Sequence, residues 1–326
     1  MKKTITMIIA MVMTSLAYSQ ELSNIQSAFL DVGFGAKPMA MGGAYTAIAK
    51  NANSIIWNPA AATQSTNSNS FCFDNVNMQD LYQYSYFGYS HKSKKGNALG
   101  LGIIYSGDDV MSETSVILSL GLSKKYLKEY TKLAFFDFGI NGKILVSSFG
   151  NNKDGEYIDD QGLNHQVTGN ATGFAVDVAM HMQLNDLDHV AIALKNPLST
   201  INWSSENEVG TAEGSYNEGL PSTLTLGIGR VAEEYSIAID LDKATHSDTE
   251  DVFKLGAEYL FFDKLIAFRS GYSQELLTGE NKKYSVGTGF NINIWNNSKL
   301  MLDIAYQIET NWEKHNTLRL SCDLLM

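Results

Sequence analysis

The feature that most constrains this chain is an alternation of apolar with small or polar residues, from about residue 69 to the C-terminus. Phe174, Val176, Val178, Met180, Met182 and Leu184 alternate with Gly173, Ala175, Asp177, Ala179, His181 and Gln183. Tyr284, Val286, Thr288, Phe290, Ile292 and Ile294 alternate in the same way with Ser285, Gly287, Gly289, Asn291 and Asn293. A period of two puts the two sets on opposite faces of a β-strand. A water-soluble sandwich alternates too, but its solvent face carries Lys, Glu and Thr rather than so much Gly and Ala. An apolar exterior around a small and polar interior is the pattern of a barrel in lipid.

Fourteen such segments can be counted: 69–77, 82–90, 97–106, 114–123, 133–147, 171–184, 188–195, 222–231, 234–242, 252–261, 264–273, 284–294, 299–309 and 316–325. An even count suits a single-chain barrel, and the lengths suit the roughly 9–11 residues of a tilted spanning strand. The connections support the count. With the N-terminus periplasmic, those after even strands are brief, and two are rich in lysine (Lys92, Lys94, Lys95; Lys124, Lys125, Lys128, Lys132). The longest, 148–170 and 196–221, follow odd strands. Slipping the count by one strand would destroy this parity. The expected fold is all-β, a 14-stranded antiparallel transmembrane β-barrel. Tyr82, Tyr84, Tyr86, Tyr89, Tyr105, Tyr259, Tyr272, Tyr284, Tyr306 and Trp295 are candidates for its interfacial girdles. The last strand has Leu318, Leu320, Cys322, Leu324 and Met326 on one face, like the terminal signal of outer-membrane barrels. Cys72 should face inward and Cys322 outward, which predicts two free thiols.

The N-terminal segment reads as a signal peptide, residues 1–19. Lys2 and Lys3 precede an apolar stretch, Ile5 to Leu16, too short to span a bilayer as a helix, with small residues before Gln20. Its removal costs two lysines and takes the net charge from −11 to −13. That acidity argues against a nucleic-acid surface. The mature chain is therefore expected in the outer membrane of a Gram-negative bacterium, with residues 67–326 as the barrel.

Residues 20–66 do not alternate. They are rich in Gly and Ala and too few for a domain of their own, and they are expected to fold as a hatch inside the barrel. Gly35-Ala36-Lys37-Pro38-Met39-Ala40-Met41-Gly42-Gly43-Ala44-Tyr45-Thr46-Ala47-Ile48-Ala49, then Ser54-Ile55-Ile56-Trp57-Asn58-Pro59-Ala60, resembles the N-terminal signature of the PorV branch of the FadL-like outer-membrane proteins. Asn58-Pro59-Ala60 is similar to the hatch motif shared across that superfamily, and Gly42 and Gly43 belong to the same signature. The resemblance implies a 14-stranded barrel with an N-terminal hatch.

It also implies two functions. The PorV branch belongs to the type IX secretion system, where it accompanies cargo from the translocon to a cell-surface attachment complex. FadL proper imports long-chain fatty acids and other hydrophobic compounds. The first reading needs aromatic anchors in outer loops, for which Trp203, Tyr216, Leu220 and Pro221, with Tyr157, are candidates. Its partners would be translocon or attachment-complex proteins and secreted cargo. The second needs a hydrophobic small molecule in the lumen and a side opening through a kinked strand. Gly100, Gly102, Gly227, Gly229, Gly287 and Gly289 would serve that kink or close packing against the hatch.

Catalytic chemistry is not expected. The six histidines are dispersed, and no Gly-x-Ser-x-Gly elbow or Walker loop occurs. Neither a cofactor nor a metal is predicted, and the acidic run 247–251 reads as solvated surface. Asp177 and His181 lie about 13 Å apart along one strand, too far for a dyad. Inward Asp240, Lys254, Glu258, Arg269, Asp303, Arg319 and Asp323 are expected to form a luminal network holding the hatch.

Overall fold

A computed structural model describes residues 32–78, 82–108, 110–130, 135–150, 158–211, 213–245, 250–279, 281–295, 298–310 and 316–326. The predicted signal peptide, residues 20–31 of the predicted hatch, Tyr157 and most of the acidic run 247–251 lie outside these residues.

The described residues form β1 (Asn69–Met78), β2 (Tyr82–Lys92), β3 (Ala98–Gly107), β4 (Met111–Leu122), β5 (Asp137–Phe149), β6 (Thr168–Gln183), β7 (Asp188–Glu206), β8 (Gly214–Glu218), β9 (Thr223–Val231), β10 (Tyr235–Ala244), β11 (Val252–Phe261), β12 (Ile266–Glu275), β13 (Lys282–Trp295), β14 (Ser298–Glu309) and β15 (Thr317–Leu325). Fourteen of them form one antiparallel ring. β15 closes it on β1, with Phe73 opposite Cys322. β7 pairs directly with β9 across its first residues, and the short β8 attaches to the far end of β7. Every segment read from the alternation coincides with a strand of the ring.

The two faces are as expected. Leu99, Leu118, Ile144, Phe174, Ile228, Phe268 and Leu320 point out and are exposed, while Ala171, Ala175, Ala179, Ala238, Ala267 and Ala305 point in and are buried. Cys72 is buried inside, Cys322 sits in the outward register, and both thiols are free.

Two expectations fail. The stretch 196–221 is not a long connection: β7 runs on to Glu206, and β8 returns along it. Its alternation persists with inverted polarity, so that Ile201 and Trp203 face inward while Asn202 and Ser204 face out. A strand that has left the apolar belt needs no apolar exterior, so its outward face carries no mark of a barrel strand. Tyr84 and Tyr86 face the lumen and are buried, so they belong to no girdle. Tyr105, Tyr259, Tyr284, Tyr306 and Trp295 are exposed on the outer register.

Candidate functional site

The described hatch residues, 32–66, lie within the barrel as short pieces: α1 (Ala36–Ala40), a 3-10 turn (Asn51–Asn53), α2 (Ser54–Trp57) and a second 3-10 helix (Pro59–Gln64). Such short helices are not stable alone, so the wall must hold them. Inward side chains do so by bonding hatch backbone. Asp74 accepts from Gly35 N (2.9 Å), Ser321 Oγ from Ala36 N (3.1 Å), and Asp240 from the amides of Tyr45 (3.0 Å) and Thr46 (2.9 Å). Arg319 donates to the carbonyls of Gly33 and Val32, Tyr86 to Ala52 O, and His181 Nε2 lies 3.1 Å from Ala47 O. Lys37 pairs with Glu258 at 2.8 Å, and Glu258 leads on through Arg269 to Asp303, each step 2.6 Å. Asn53 donates to Asp323. The luminal charges singled out in the sequence thus hold the hatch. Lys254 instead pairs with Asp242 at 2.6 Å.

The motif residues are internal braces. Asn58 is fully buried. Its Oδ1 accepts from Ala60 N and caps the second 3-10 helix, while its Nδ2 donates to Thr46 O at 2.9 Å. Pro59 takes the first helical position, where no N–H is missed. Gly42 and Gly43 have φ of 66° and 76°, in the left-handed region, and a Cβ on Gly42 would run into the backbone of Tyr272. The wall glycines answer them. A side chain at Gly139 would overlap Pro59 and Ala60, one at Gly271 would overlap Met41 and Gly42, and Gly100 and Gly102 face Ile55. Gly227, Gly229 and Gly287 likewise meet hatch residues, while Gly289 makes room for Asp303 and Arg269.

Opposite Asp177, β7 carries two residues too many: Val178 pairs with Leu194, yet Val176 pairs with Leu198. Pro197 has no N–H to give the ladder, and Asn196 adopts φ 51°. The loosened backbone is bonded by side chains. Asp177 Oδ1 accepts from Asn196 N (3.0 Å) and lies 2.8 Å from Lys143 Nζ, which also donates to Asn196 Oδ1 (3.0 Å). Asn141 Nδ2 bridges Asp177 and the hatch carbonyl of Ile55. Asn196 Nδ2 and Ser222 Oγ span β7 and the approach to β9, through Pro221 O and Lys195 O. Lys195 Nζ lies 5.4 Å from the centre of the Trp57 ring, so the break in the wall meets the hatch at that ring.

Trp57 also lines a cavity of about 400 Å³, together with Met39, Gly42 and Gly43. The cavity walls carry Asp242, Lys254, Glu275, Lys283, Glu309 and Arg319, with Lys283 and Glu309 paired at 2.8 Å. Apolar residues gather on the β5–β8 side instead, where Leu145, Ala171, Ala175, Ile201, Trp203 and Leu220 pack together. The candidate anchors Trp203 and Leu220 are therefore interior residues, 5% and 4% exposed. Trp203 Nε1 donates to Glu218 at 2.5 Å, and its ring stacks on Tyr216, which is 54% exposed at the mouth. Pro221 serves the wall break through its carbonyl. Alternation alone did not single out Lys143, Lys195 or Asn196. The signal for them was Asn196-Pro197 interrupting a strand pattern, which reads equally well as a strand end.

No family model matches the sequence, and no curated protein matches it significantly. Solved structures do match. The CymD monoaromatic hydrocarbon channel is 14% identical, with a TM-score of 0.58 over 90% of this chain and 96% of that one. The Ralstonia pickettii toluene transporter TbuX is 14% identical, with a TM-score of 0.57 over 91% and 98%. A Pseudomonas aeruginosa FadL homologue is 10% identical, with a TM-score of 0.55 over 90% and 97%. At such identities the likeness establishes a common fold, the FadL-like barrel.

Proposed function

We propose that the protein is an outer-membrane channel that takes in small hydrophobic compounds and releases them sideways through the barrel wall. The observation that carries this reading is the two-residue break at Asn196–Pro197, which adjoins the hatch at Trp57 on the edge of the luminal cavity. A hydrophobic molecule gains nothing by crossing into water, whereas an exit at this bulge would lead it into lipid. The named activities of the structural neighbours, channels and transporters for toluene and monoaromatic hydrocarbons, agree with it. The test is uptake of labelled toluene by cells producing the protein. Removing Asn196 and Pro197 together restores one-to-one pairing of β6 with β7. The expected result is loss of the uptake above that of empty cells, with a barrel that still migrates faster unheated than boiled. Undiminished uptake would refute the side exit.

One observation favours a second reading, a secretion accessory that binds exported proteins at the cell surface: the cavity is lined by charge of both signs, a poor match for a bare hydrocarbon. With Trp203 and Leu220 interior, Tyr216 is the described aromatic left at the mouth to serve it. Affinity purification in mild detergent separates the readings. Secretion components that are lost on Tyr216→Ala would favour the second, and hydrophobic ligand without partner the first.

A further inference from the structure

The rim bearing the short turns is not uniform. Lys94 and Lys95 lie exposed in the β2–β3 turn, and Lys124, Lys125 and Lys128 lie on or just after a short helix, α3 (Lys124–Leu127), between β4 and β5. The two turns are fastened together, Ser123 N donating to Asn97 Oδ1 (3.0 Å) and Ser123 Oγ to Lys95 O (3.2 Å). Among the described residues none of the five ammonium groups is in an ion pair. Of the carboxylates in these turns, Asp137 is buried and already accepts from the Lys124 amide and from Gln64, and Glu129 is exposed beside Lys128. Elsewhere the same rim carries charge of both signs in pairs, Asp188 at the start of β7 with Arg230 at 2.7 Å and Glu233 of the β9–β10 turn with Lys264 at 3.9 Å. In a chain of net charge −11, such a basic sector is a local construction.

A second feature coincides with it. Tyr126 and Tyr130 pack with ring centres 5.1 Å apart, Phe135 and Phe136 at 5.2 Å, and Tyr130 and Phe135 are 59% and 61% exposed. Next to them the outward apolar belt begins, at Leu99, Leu122 and Phe138. Cations in no ion pair among the described residues, aromatic rings beside them and an aliphatic wall adjoining fit the three parts of a phospholipid: phosphate, glycerol region and acyl chain.

We propose that this sector binds anionic phospholipid of the periplasmic leaflet, phosphatidylglycerol rather than a zwitterionic lipid. Two turns supply cations to a phosphate diester whose net charge a choline does not cancel. The inference rests on the outer-membrane placement, with the short turns on the periplasmic side, and commits to lipid because the lysines run straight into the belt.

The test titrates the intact barrel in dodecylmaltoside with dioctanoyl-phosphatidylglycerol, dioctanoyl-phosphatidylcholine or glycerol 3-phosphate, and counts adducts by native mass spectrometry. Phosphatidylglycerol should be retained at concentrations about tenfold lower than phosphatidylcholine, and glycerol 3-phosphate should not be retained. Exchanging the five lysines for glutamine should remove the preference, and the smaller pair Lys94→Gln/Lys95→Gln should halve it or more. Tyr130→Ser/Phe135→Ser should weaken both lipids alike. Equal retention of the two lipids, a preference that survives the lysine exchanges, or equally tight glycerol 3-phosphate would each overturn the proposal. A chain that never enters bilayers of phosphatidylcholine would instead overturn the membrane placement, so the two failures are distinguishable.

Discussion

At the scale of single residues, the hatch seat turns on whether an atom fits. Gly139 and Gly142 sit three residues apart on β5. A methyl at Gly139 would overlap hatch backbone, whereas nothing lies within 4 Å of one at Gly142. Gly139→Ala should therefore displace the second 3-10 helix and expose 58–64 to protease, while Gly142→Ala should leave digestion unchanged. Identical digestion of the two variants would contradict this seating of the hatch. Asn58→Ala removes a buried cap and a buried bond to Thr46 O, and should cost about 1–3 kcal/mol in urea unfolding. Beyond the barrel, Asp159 Oδ2 lies 2.9 Å from His165 Nε2, and its Oδ1 accepts from Gln161 N and Leu163 N. The His165 contact first, then those amides, hold the Asp159 carboxyl below its usual range. With a depressed pKa the turn's stabilisation is complete above about pH 4 and fades only as pH falls through the lowered value. Carboxyl carbon NMR should show that low midpoint, and His165→Ala should bring it back toward about 3.9.

At the scale of elements, the break in β7 is a small polar assembly inside an apolar ladder. Asp177 joins Lys143, Asn196 N and Asn141, and both members of its ion pair are mostly buried. Asp177→Ala leaves Lys143 without its anion and the Asn196 amide without its acceptor. A loss of about 3–5 kcal/mol is expected, with faster hydrogen exchange in β6 and β7. Lys143→Met with Asp177→Leu should recover much of that loss, because no buried charge remains unpaired. Failure to recover would mean the pair itself shapes the bulge. This element also marks where the sequence stops being legible. The fourteen strands of the ring could be read because an apolar exterior and a hatch-filled interior give alternate residues opposite polarity. Beyond Pro197 the phase of β7 continues, but Ile201 and Trp203 now face inward and Asn202 faces out, so the polarity signal reverses while the strand does not. In β2 both faces carry aromatics, Tyr84 and Tyr86 inside against Phe87 and Tyr89 outside, and contrast fails to mark the lipid side. The glycines of the wall were visible as anomalies. Which hatch atom each one admits is a property of two segments far apart in sequence.

At the scale of the whole molecule, the arrangement is a stoppered cylinder whose outer belt has a definite height. On the β4–β7 side the belt runs through Leu118, Ile144, Phe174 and Ile192, then gives way to outward Asn170, Thr172, Asn202 and Ser204. A cation placed within that belt must leave water and deform lipid around it, while one beyond it stays hydrated. Leu118 lies well inside the belt and is 59% exposed on the outer face. Leu118→Arg should cost about 2–4 kcal/mol, and Asn202→Arg about 0–1 kcal/mol, in urea unfolding from phosphatidylcholine vesicles. Neither position touches the hatch anchors, so a difference between them reports depth in the bilayer rather than damage to the plug. In a soluble protein the two exposed sites would tolerate arginine equally. Equal costs would thus remove the membrane from the account, and with it any reason for a hydrophobic molecule to leave through the wall at Asn196.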